Sequence, residues 1–481
     1  MDTILDLTAL ELAEKIHNKE ITVIEATNAV LNAIEKKDRE INAVITVDKE
    51  GAQKQAELVQ EKIDKGIISS KLAGVPILIK DNICTKGIKT TCASKILGEF
   101  DPPYDATVIK RLKDADLIIV GKTNMDEFAM GSTTETSYYG ATKNPVNTSC
   151  VPGGSSGGSA AAVSAREVFC ALGSDTGGSI RQPASYCGVT GFKPTYGTVS
   201  RFGLIAYASS LDQIGPIAKD TKDCVALMDI IKGKDEYDGT SLQLDDRDYL
   251  DSMTGNVEGL KIAIPNECFD EGLDEEIKYN VLTMVKQLEK CGAVVENVDM
   301  KFLKYVVPAY YIMATAEASS NLSRFDGVKY GFRADKYEGL TDLYDATRSE
   351  GFGEEVKKRI LLGTFVLSSG YYDAYYRKAL KVKAIIKKEF DDLFSKYDVV
   401  VMPTAPNVAP KIGDSLADPM KMYLSDIYTV SANIAGLPGL SVPCGFNKDG
   451  MPIGAQIIGQ RLQDEKVLNV GVAYQNMQHN N

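Results

Sequence analysis

Residues 151–181 read VPGGSSGGSAAAVSAREVFCALGSDTGGSIR and contain two Gly/Ser-rich turns, at 153–159 and 173–179, around a short apolar piece. Each turn places hydroxyl groups beside glycines, where backbone N–H groups can approach a ligand closely. Each turn also runs into a predicted helix start, and helix N-termini favour negative charge. A turn–helix–strand–turn path can return the second turn to the first. We therefore expect one site that combines Ser155, Ser179 and backbone donors for an oxyanion.

The rest of the chain alternates between strand and helix patterns. Apolar runs bounded by turns predict buried strands at 117–121, 260–265, 293–298, 398–404, 439–443 and 453–459, with a further one within 72–83. Helical spacing predicts helices at 8–19, 22–37, 51–65, 107–114, 222–231, 274–291, 302–324, 354–367, 371–396, 422–435 and 465–477. The segment 191–203 reads as a turn-rich loop. The alternation predicts an α/β fold, with one large domain over 1–481 and a central mixed β-sheet between helical layers.

The start of the chain, at about 1–66, is predicted to be an N-terminal helical cap without catalytic residues. Its second helix opens with Thr22 and, three positions later, Glu25, which is the pattern of a capping box.

Composition restricts the function and the compartment. The formal net charge is −12, which argues against a surface that holds nucleic acid by itself. The acidic, amphipathic N-terminus lacks the basic start and apolar run of a secretory signal, and no stretch approaches the ~18 apolar residues of a membrane helix. The nine cysteines include no C-x-x-C pair, so we interpret them as free thiols of a reducing compartment. We expect a cytoplasmic protein.

The serine-rich turns need a base if a serine is the nucleophile. Both overlapping G-x-S-x-G frames within 153–158 would suit a hydrolase elbow, which requires a histidine later in the chain. The sequence has only two histidines, His17 and His479, and both lie near the termini, which argues against a Ser–His–Asp triad. Lysine is the usual substitute, provided that burial makes it neutral.

Lys80 is the candidate for that base. It follows the apolar run Val75–Ile79, which is typical of a buried strand. A free lysine has a pKa of ~10.4, and desolvation lowers the pKa of a buried lysine by ~3–5 units. A buried Lys80 would therefore be partly neutral at neutral pH.

Three motifs together resemble the amidase signature family. They are GVPILIKDNI at 74–83, PGGSSGGSAAA at 152–162 and GSDTGGSIRQPASYCG at 173–188. The resemblance extends over roughly residues 20–460 and implies the amidase signature fold.

The resemblance implies a role for each residue of a triad. Ser179 would be the nucleophile, Lys80 the base, and Ser155 the bridging serine, held by a cis peptide bond to Ser156; the residues alone do not choose between Ser155 and Ser156. The family's oxyanion hole falls on the backbone N–H groups of Thr176, Gly177, Gly178 and Ser179. The pair Asp175 and Arg181 would support the nucleophile turn.

Further stretches resemble one branch of this family, the glutaminase subunits of heterotrimeric tRNA-dependent amidotransferases. They are FAMGSTTE at 128–135, KRILLGTF at 358–365 and SDIYTVSANIAGLPGLSVP at 425–443. In that branch this subunit hydrolyses glutamine, and ammonia passes through a channel to the B subunit. The B subunit uses ATP and Mg²⁺ to amidate Glu-tRNA(Gln), Asp-tRNA(Asn) or both. The branch therefore implies B and C subunits as partners, tRNA contact through the B subunit, no membrane, and no metal or cofactor in this chain.

The same branch implies a pocket for glutamine. Arg359 matches the arginine that binds the carboxylate, and Asp426 matches the aspartate that binds the amino group. Tyr310 and Ser132 are further pocket candidates. On spacing alone, Arg359 and Asp426 would be ordinary exposed helix charges.

Two other functions remain open from the sequence. One is a stand-alone amidase acting on another small amide, which would need neither Arg359 nor Asp426. The other is a non-catalytic assembly subunit, which the presence of Lys80, Ser155 and Ser179 disfavours. Cys150, Cys170 and Cys187 near the site are predicted to be core residues. The aromatic run Tyr371, Tyr372, Tyr375 and Tyr376 is predicted to form a packing face and not a base-stacking platform.

Overall fold

A computed structural model describes residues 4–245, 247–270, 272–417, 422–423 and 425–479. Within these ranges, eleven strands form one mixed sheet. The strands are β1 (Val44–Val47), β2 (Pro76–Lys80), β3 (Ile118–Thr123), β4 (Cys170–Asp175), β5 (Thr190–Lys193), β6 (Gln213–Ala218), β7 (Lys261–Pro265), β8 (Val294–Val298), β9 (Val399–Pro403), β10 (Gly439–Phe446) and β11 (Pro452–Gly459).

Helices flank this sheet. They are α1 (Ala9–His17), α2 (Val23–Ile41), α3 (Lys49–Asp64), α4 (Thr107–Asp114), α5 (Gly157–Ser164), α6 (Arg181–Cys187), α7 (Thr221–Ile231), α8 (Tyr249–Ser252), α9 (Glu275–Lys290), α10 (Val306–Asn321), α11 (Gly339–Gly351), α12 (Glu354–Leu367), α13 (Arg377–Phe394), α14 (Asp414–Ala417), α15 (Val430–Ala435) and α16 (Asp464–His479). A π-helical segment, Tyr372–Tyr376, precedes α13, and short 3₁₀ segments lie at Ile4–Asp6, Lys95–Leu97, Glu127–Ala129, Asn266–Cys268, Leu303–Tyr305 and Leu322–Arg324.

The strand order across the sheet is β1-β3-β2-β4-β6-β5-β10-β11-β9-β7-β8. Strand β2 pairs in parallel with β3 and β4, and β7 pairs in parallel with β8 and β9, while the remaining neighbours are antiparallel. The predicted α/β fold with a central mixed sheet among helices is confirmed.

Some elements escape prediction because neighbouring strands stabilise them. Strand β1 lies within the predicted helical cap and pairs with β3 at the sheet edge. Strand β5 lies in the predicted loop 191–203 and is held between β6 and β10. Both have four residues, VITV and TGFK, and neither alternates strictly between apolar and polar positions. Strand β6 and helix α11 also have no predicted counterpart. The predicted helix 422–435 is helical at 422–423 and at Val430–Ala435 but forms a turn at 425–429, and its position 424 lies outside the described residues.

Two local predictions are confirmed. The capping box at Thr22 and Glu25 is present, with both of its reciprocal hydrogen bonds. Cys150, Cys170 and Cys187 are buried, as predicted. In the tyrosine run, Tyr376 packs against the core. Tyr371, Tyr372 and Tyr375 are exposed and pack against neighbouring aromatic rings of the same region. In the described ranges, no helix combines the length and apolarity that crossing a membrane requires.

The sheet brings the two serine turns to one place. Strands β2 and β4 are parallel neighbours, so their carboxyl ends meet at the same edge of the sheet. Lys80 ends β2, and Asp175 ends β4. The first serine turn leads into α5, and the second follows β4 and leads into α6. Carboxyl ends of parallel strands are a common place for ligand sites.

Gly121 allows the edge strand β1 to approach β3. A Cβ at this position would lie 2.1 Å from the Thr46 carbonyl oxygen, which belongs to the backbone of β1. A backbone atom cannot swing aside as a flexible side chain does, so the edge pairing requires glycine here.

We expect Gly121→Ala to destabilise the protein by about 1–3 kcal/mol, because the added methyl group forces the two strands apart. The measurement is thermal or denaturant unfolding beside Val47→Ala, which truncates a half-exposed side chain of the same edge and should change stability by less than about 0.5 kcal/mol. Equal unfolding midpoints for Gly121→Ala and the unmodified protein would contradict the close contact.

Candidate active site

Lys80 and Ser155 are in direct contact. The Lys80 side chain is fully buried, and its Nζ lies 2.8 Å from Ser155 Oγ. Two further contacts reach Ser174, at 2.9 Å to its Oγ and 3.2 Å to its carbonyl oxygen. These three partners are hydroxyl and carbonyl oxygen atoms, and no carboxylate of the described residues lies within hydrogen-bond distance of the amine.

The surroundings of Lys80 favour its neutral form. Burial is the largest influence and lowers the pKa of Lys80 to about 7, although the carboxylates of Asp126, Asp175 and Asp212 act in the opposite direction. Near neutral pH, a lysine with this pKa exists partly as a free amine, which can accept a proton.

Burial alone does not single out Lys80. Lys122 and Lys193 are also buried, and desolvation lowers the pKa of Lys193 to about 7. The Nζ of Lys193 contacts the Pro194 carbonyl at 2.9 Å, and that of Lys122 contacts the Thr90 hydroxyl at 2.8 Å. The contact with a serine of the Gly/Ser-rich turns distinguishes Lys80 from these two.

The geometry separates the roles of Ser155 and Ser156. Ser155 Oγ contacts Lys80, whereas Ser156 Oγ donates to the Ser174 carbonyl at 3.1 Å and accepts the Ser174 N–H at 3.2 Å. The Ser156 hydroxyl is therefore engaged by backbone, and of these two hydroxyls only that of Ser155 contacts the amine.

One implied detail of the first turn is wrong. The cis peptide bond joins Gly154 to Ser155 and does not follow Ser155. On the other side of this bond, the Gly154 N–H donates to Gln182 Oε1 at 2.9 Å, so a side chain of α6 holds the turn just before the bridging serine.

Ser179 lies in the second turn, directly against the first. Its carbonyl oxygen accepts the N–H of Ser156 at 3.1 Å, and the residue is 7% exposed. The turn passes through Gly178 at φ +137°, and a Cβ at Gly177 would lie 2.6 Å from the Tyr310 ring. These two glycines allow the turn to fit closely beneath a pocket side chain.

The predicted oxyanion hole differs at one of its four donors. The Gly178 N–H donates to Asp175 Oδ1 at 2.7 Å, because the carboxylate caps its own turn. Within the described residues, the N–H groups of Gly177 and Ser179 have no such acceptor. Thr176 is fixed through its hydroxyl, which donates to Asp212 Oδ1 at 2.6 Å.

Asp175 and Arg181 form a buried ion pair that holds this turn. Arg181 Nε lies 3.1 Å from Asp175 Oδ2, and Nη2 lies 3.2 Å from Oδ1, with neither side chain exposed. Although burial opposes ionisation, the guanidinium charge and its hydrogen bonds lower the pKa of Asp175 to about 2. The aspartate also accepts the N–H of Ile180 at 3.2 Å, so it ties the start of α6 to the turn.

Arg359 lies in an aromatic setting and is 3% exposed. Its Nη1 donates to Tyr207 Oη and its Nε to Glu355 Oε1, both at 2.8 Å. Its guanidinium lies 5.6 Å from the Tyr207 ring centre and 5.5 Å from that of Tyr311. Nη2 makes no hydrogen bond to any described residue, so this end of the guanidinium can receive a ligand.

Asp426 is connected to Arg359 through Tyr311. The Tyr311 hydroxyl donates to Asp426 Oδ2 at 3.2 Å, and Asp426 is 9% exposed. Burial raises the pKa of Asp426 to about 7, although the Arg359 charge and the Tyr311 hydrogen bond act in the opposite direction. The carboxyl group thus has a desolvated oxygen that an ammonium group would stabilise.

The two further pocket candidates lie in different places. Tyr310 covers Gly177 in the nucleophile turn, beside Tyr311 at 5.0 Å between ring centres. Ser132 lies near Ser425, at 3.1 Å between hydroxyl oxygens, in a cleft of about 840 Å³. It connects to the first serine turn through Gln182, which donates to the Ser132 carbonyl and accepts the N–H of Gly154.

Sequence reasoning missed the residues that position this chemistry. They are Asn82, Asp126, Ser174, Tyr207, Asp212, Tyr311, Glu355, Thr429 and Asn433. Asn82 follows Lys80 at the end of a predicted strand, so its place was a usable signal. Ser174 lies in the second Gly/Ser-rich turn, and Thr429 and Asn433 lie in the stretch 425–443, so these positions also carried a signal. The others have no local signal, because long-range packing brings them to the site. Among the described residues, no group of acidic, histidine or cysteine side chains is arranged to hold a metal ion.

Comparison with known proteins supports the family resemblance that the motifs indicate. The model of the family described as Amidase matches residues 25–468. The glutamyl-tRNA(Gln) amidotransferase A chain of Lachnospira eligens is 61% identical over 473 residues, which cover 98% of either protein. Its counterpart from Bacillus velezensis is 54% identical over 473 residues, covering 98% of this chain and 97% of its own.

Solved structures show the same similarity. The glutamyl-tRNA(Gln) amidotransferase A chain of Thermotoga maritima superposes with a TM-score of 0.80 at 44% identity, over 98% of this chain and 94% of that one. The native peptide amidase from Stenotrophomonas maltophilia gives a TM-score of 0.83 at 27% identity, over 98% and 97% of the two chains. With these motifs, this geometry and these matches, the chain belongs to the amidase signature family.

Proposed function

We propose that this chain is the glutamine-hydrolysing subunit of a tRNA-dependent amidotransferase. The observation that carries the chemistry is the fully buried Lys80 amine, 2.8 Å from Ser155 Oγ. The similarity to glutamyl-tRNA(Gln) amidotransferase chains from Lachnospira eligens and Bacillus velezensis supports the choice of glutamine and of a tRNA-dependent product.

In the proposed reaction, Ser179 Oγ attacks the side-chain amide carbon of glutamine. Its proton passes through the Ser155 hydroxyl to neutral Lys80, and the resulting oxyanion receives hydrogen bonds from the turn's free N–H groups. The carbon–nitrogen bond then breaks, and the proton returns through Ser155 to the leaving nitrogen, which departs as ammonia. Water hydrolyses the glutamyl ester in the same manner and releases glutamate.

The pocket suits a zwitterion with an amide. Arg359 has an unoccupied Nη2 edge, and planar guanidinium groups bind carboxylates through paired hydrogen bonds. Asp426 offers a buried carboxyl group for the α-ammonium. Tyr310 contacts Gly177 and lies beside Tyr311, which contacts Asp426, so the amide would project past Tyr310 toward Ser179.

The released ammonia would be used by a partner. We assign its activation chemistry to a B subunit that binds ATP and Mg²⁺ and carries the tRNA, with a C subunit completing the heterotrimer. Glu-tRNA(Gln), Asp-tRNA(Asn) or both would be amidated there. The acidic charge of this chain supports leaving tRNA binding to the partner. A cytoplasmic location fits this role in protein biosynthesis.

A stand-alone amidase is the second candidate, and the likeness to a peptide amidase favours it. The two functions differ in their need for the charged pocket. An uncharged small amide has no use for Arg359 and Asp426, whereas glutamine needs both.

We expect Ser179→Ala to abolish glutamine hydrolysis and Ser155→Ala to reduce it by about 10²–10⁴-fold, because the first removes the nucleophile and the second its proton relay. Activity and unfolding midpoints should be compared with Ser164→Ala, whose hydroxyl donates to the Cys187 carbonyl and lies outside the triad. More than about a hundredth of the original rate in Ser179→Ala would rule out a covalent mechanism at this residue.

The rate of hydrolysis should rise as the pH increases through about 7, because Lys80 loses its proton over that range. Lys80→Arg should be nearly inactive at every pH, since arginine keeps its proton. A pH–rate profile of both proteins checks this. An active Lys80→Arg variant, or a wild-type rate already maximal well below pH 7, would show that another group is the base.

Arg359→Ala should lose about 30- to several-thousand-fold in kcat/KM for glutamine, because an unpaired desolvated charge costs ~2–5 kcal/mol. In the assembled enzyme, amidation supplied with free ammonia should be retained, because ammonia bypasses the pocket. Lys357→Ala, a partly exposed neighbour on α12 paired with Glu354, is the matched control. Equal damage with both nitrogen donors would mean that Arg359 is structural.

A further inference from the structure

Ser174, the next-to-last residue of β4, presents two oxygen acceptors to the Lys80 amine. Its Oγ lies 2.9 Å and its carbonyl oxygen 3.2 Å from Nζ. Ser156 fixes the backbone of Ser174 at both its N–H and its carbonyl. Two of the three partners of the amine therefore belong to one rigidly held residue, which is 2% exposed.

Asn82 holds the Ser174 hydroxyl from another side. Its Nδ2 donates to Ser174 Oγ at 2.9 Å, and an amide NH₂ group can only donate, so it occupies a lone pair of that oxygen. Asn82 is 2% exposed, and its Oδ1 has no partner among the described residues. Leaving a buried acceptor unpaired is destabilising, so packing alone does not explain an asparagine here.

A neutral amine has two N–H bonds and one lone pair, and Lys80 has three partners. A carbonyl oxygen can only accept, so the Ser174 carbonyl takes one N–H. Asn82 donates to one lone pair of Ser174 Oγ and so holds the hydroxyl in a rotation in which its other lone pair can take the second N–H of the amine. The lone pair of nitrogen is then left facing Ser155.

We propose that Ser174, steadied by Asn82, is a positioning residue that binds both N–H bonds of neutral Lys80 and so directs the amine's lone pair at the Ser155 hydroxyl. This inference rests on the proposed triad. It adds a reason why Lys80 accepts the proton from Ser155 in preference to donating its own.

The proposal predicts two effects for Ser174→Ala. At pH values above the pKa of Lys80, the rate of nucleophilic attack by Ser179 should fall by about 10- to 100-fold, because the lone pair of the amine is no longer oriented. The rising part of the pH–rate profile should also move to lower pH, because an acceptor that favours the ammonium form is lost. The charged or titratable groups that act on Lys80 are Asp126, Asp175, Asp212 and Cys92, and none of them is altered.

The probe is a fluorophosphonate, which reports on the nucleophile without requiring glutamine. The Ser179 oxygen–phosphorus bond forms, the phosphorus–fluorine bond breaks, fluoride leaves, and the serine proton passes through Ser155 to Lys80. Labelling rates of the assembled enzyme are measured across the pH range in which Lys80 titrates, with the modified residue identified by mass spectrometry.

Ser174→Thr, which keeps the hydroxyl, should restore most of the rate. Asn82→Ala should show the same acid shift with a smaller loss, because the freed Ser174 hydroxyl can donate to the lone pair of Lys80. The matched control is Ser159→Ala, whose equally buried hydroxyl donates to the Leu172 carbonyl at 3.1 Å and does not touch Lys80. Unfolding midpoints are recorded for all variants.

Two results for Ser174→Ala would overturn the inference. One is a labelling rate equal to that of the wild type. The other is a slower rate with an unshifted pH–rate profile and a stability loss equal to that of Ser159→Ala. If Ser174→Ala does not fold, an unshifted profile in Asn82→Ala overturns it instead. Wild-type protein that is not labelled at Ser179 would overturn both this inference and the proposed nucleophile. If Ser179 is labelled and the pH–rate profile of Ser174→Ala shifts as predicted, but the enzyme does not hydrolyse glutamine, only the proposed substrate is wrong. That result would still support the positioning role of Ser174.

Discussion

A lysine amine buried beside a serine is the constraint on which the rest of this structure depends. Desolvation destabilises the ammonium form, and oxygen atoms of Ser155 and Ser174 surround the amine at 2.8–3.2 Å. Strand β2 carries Lys80 into the sheet, and β4 lies beside it in parallel. The position of the amine thus fixes which two strands must be neighbours and where both serine turns must begin.

The second turn depends on a separate buried charge pair. Asp175 is kept ionised by Arg181 and accepts the N–H groups of Gly178 and Ile180, so the turn cannot relax without leaving a charge unpaired in the interior. Arg181 in turn reaches Thr429, Asn433 and Gln456 in the C-terminal part of the chain. The loop that carries Asp426 is therefore anchored to the turn that carries Ser179. This coupling joins the substrate pocket to the nucleophile.

The sequence predicts what contiguous patterns encode. Lys80 at the end of an apolar run and the lack of a suitably placed histidine suffice to predict the base, and the two Gly/Ser-rich turns predict a site with two serines. The choice of Ser155 over Ser156 needs the family resemblance, while apolar runs predict most of the sheet. Arg359 and Asp426 have the spacing of surface charges, and only family resemblance distinguishes them; their burial results from packing against Tyr207 and Tyr311. Ser174 lies in a predicted turn, but its contact with Lys80 leaves no local signal, and neither does β5, because neighbours distant in sequence define both. The direction of the Gly178 N–H depends on a side-chain contact that no motif specifies.

The protonation state of Lys80 is the most direct test of the central claim. Lysine side chains labelled with ¹³C at Cε can be titrated by NMR, with the Lys80 and Lys193 signals assigned by substituting each residue in turn. A Lys80 resonance that titrates with a pKa near 7 is the predicted result. A Lys80 signal that stays in the charged position until the pH approaches the ordinary lysine pKa of about 10.4 would contradict it, because an ammonium group cannot take the proton from Ser155.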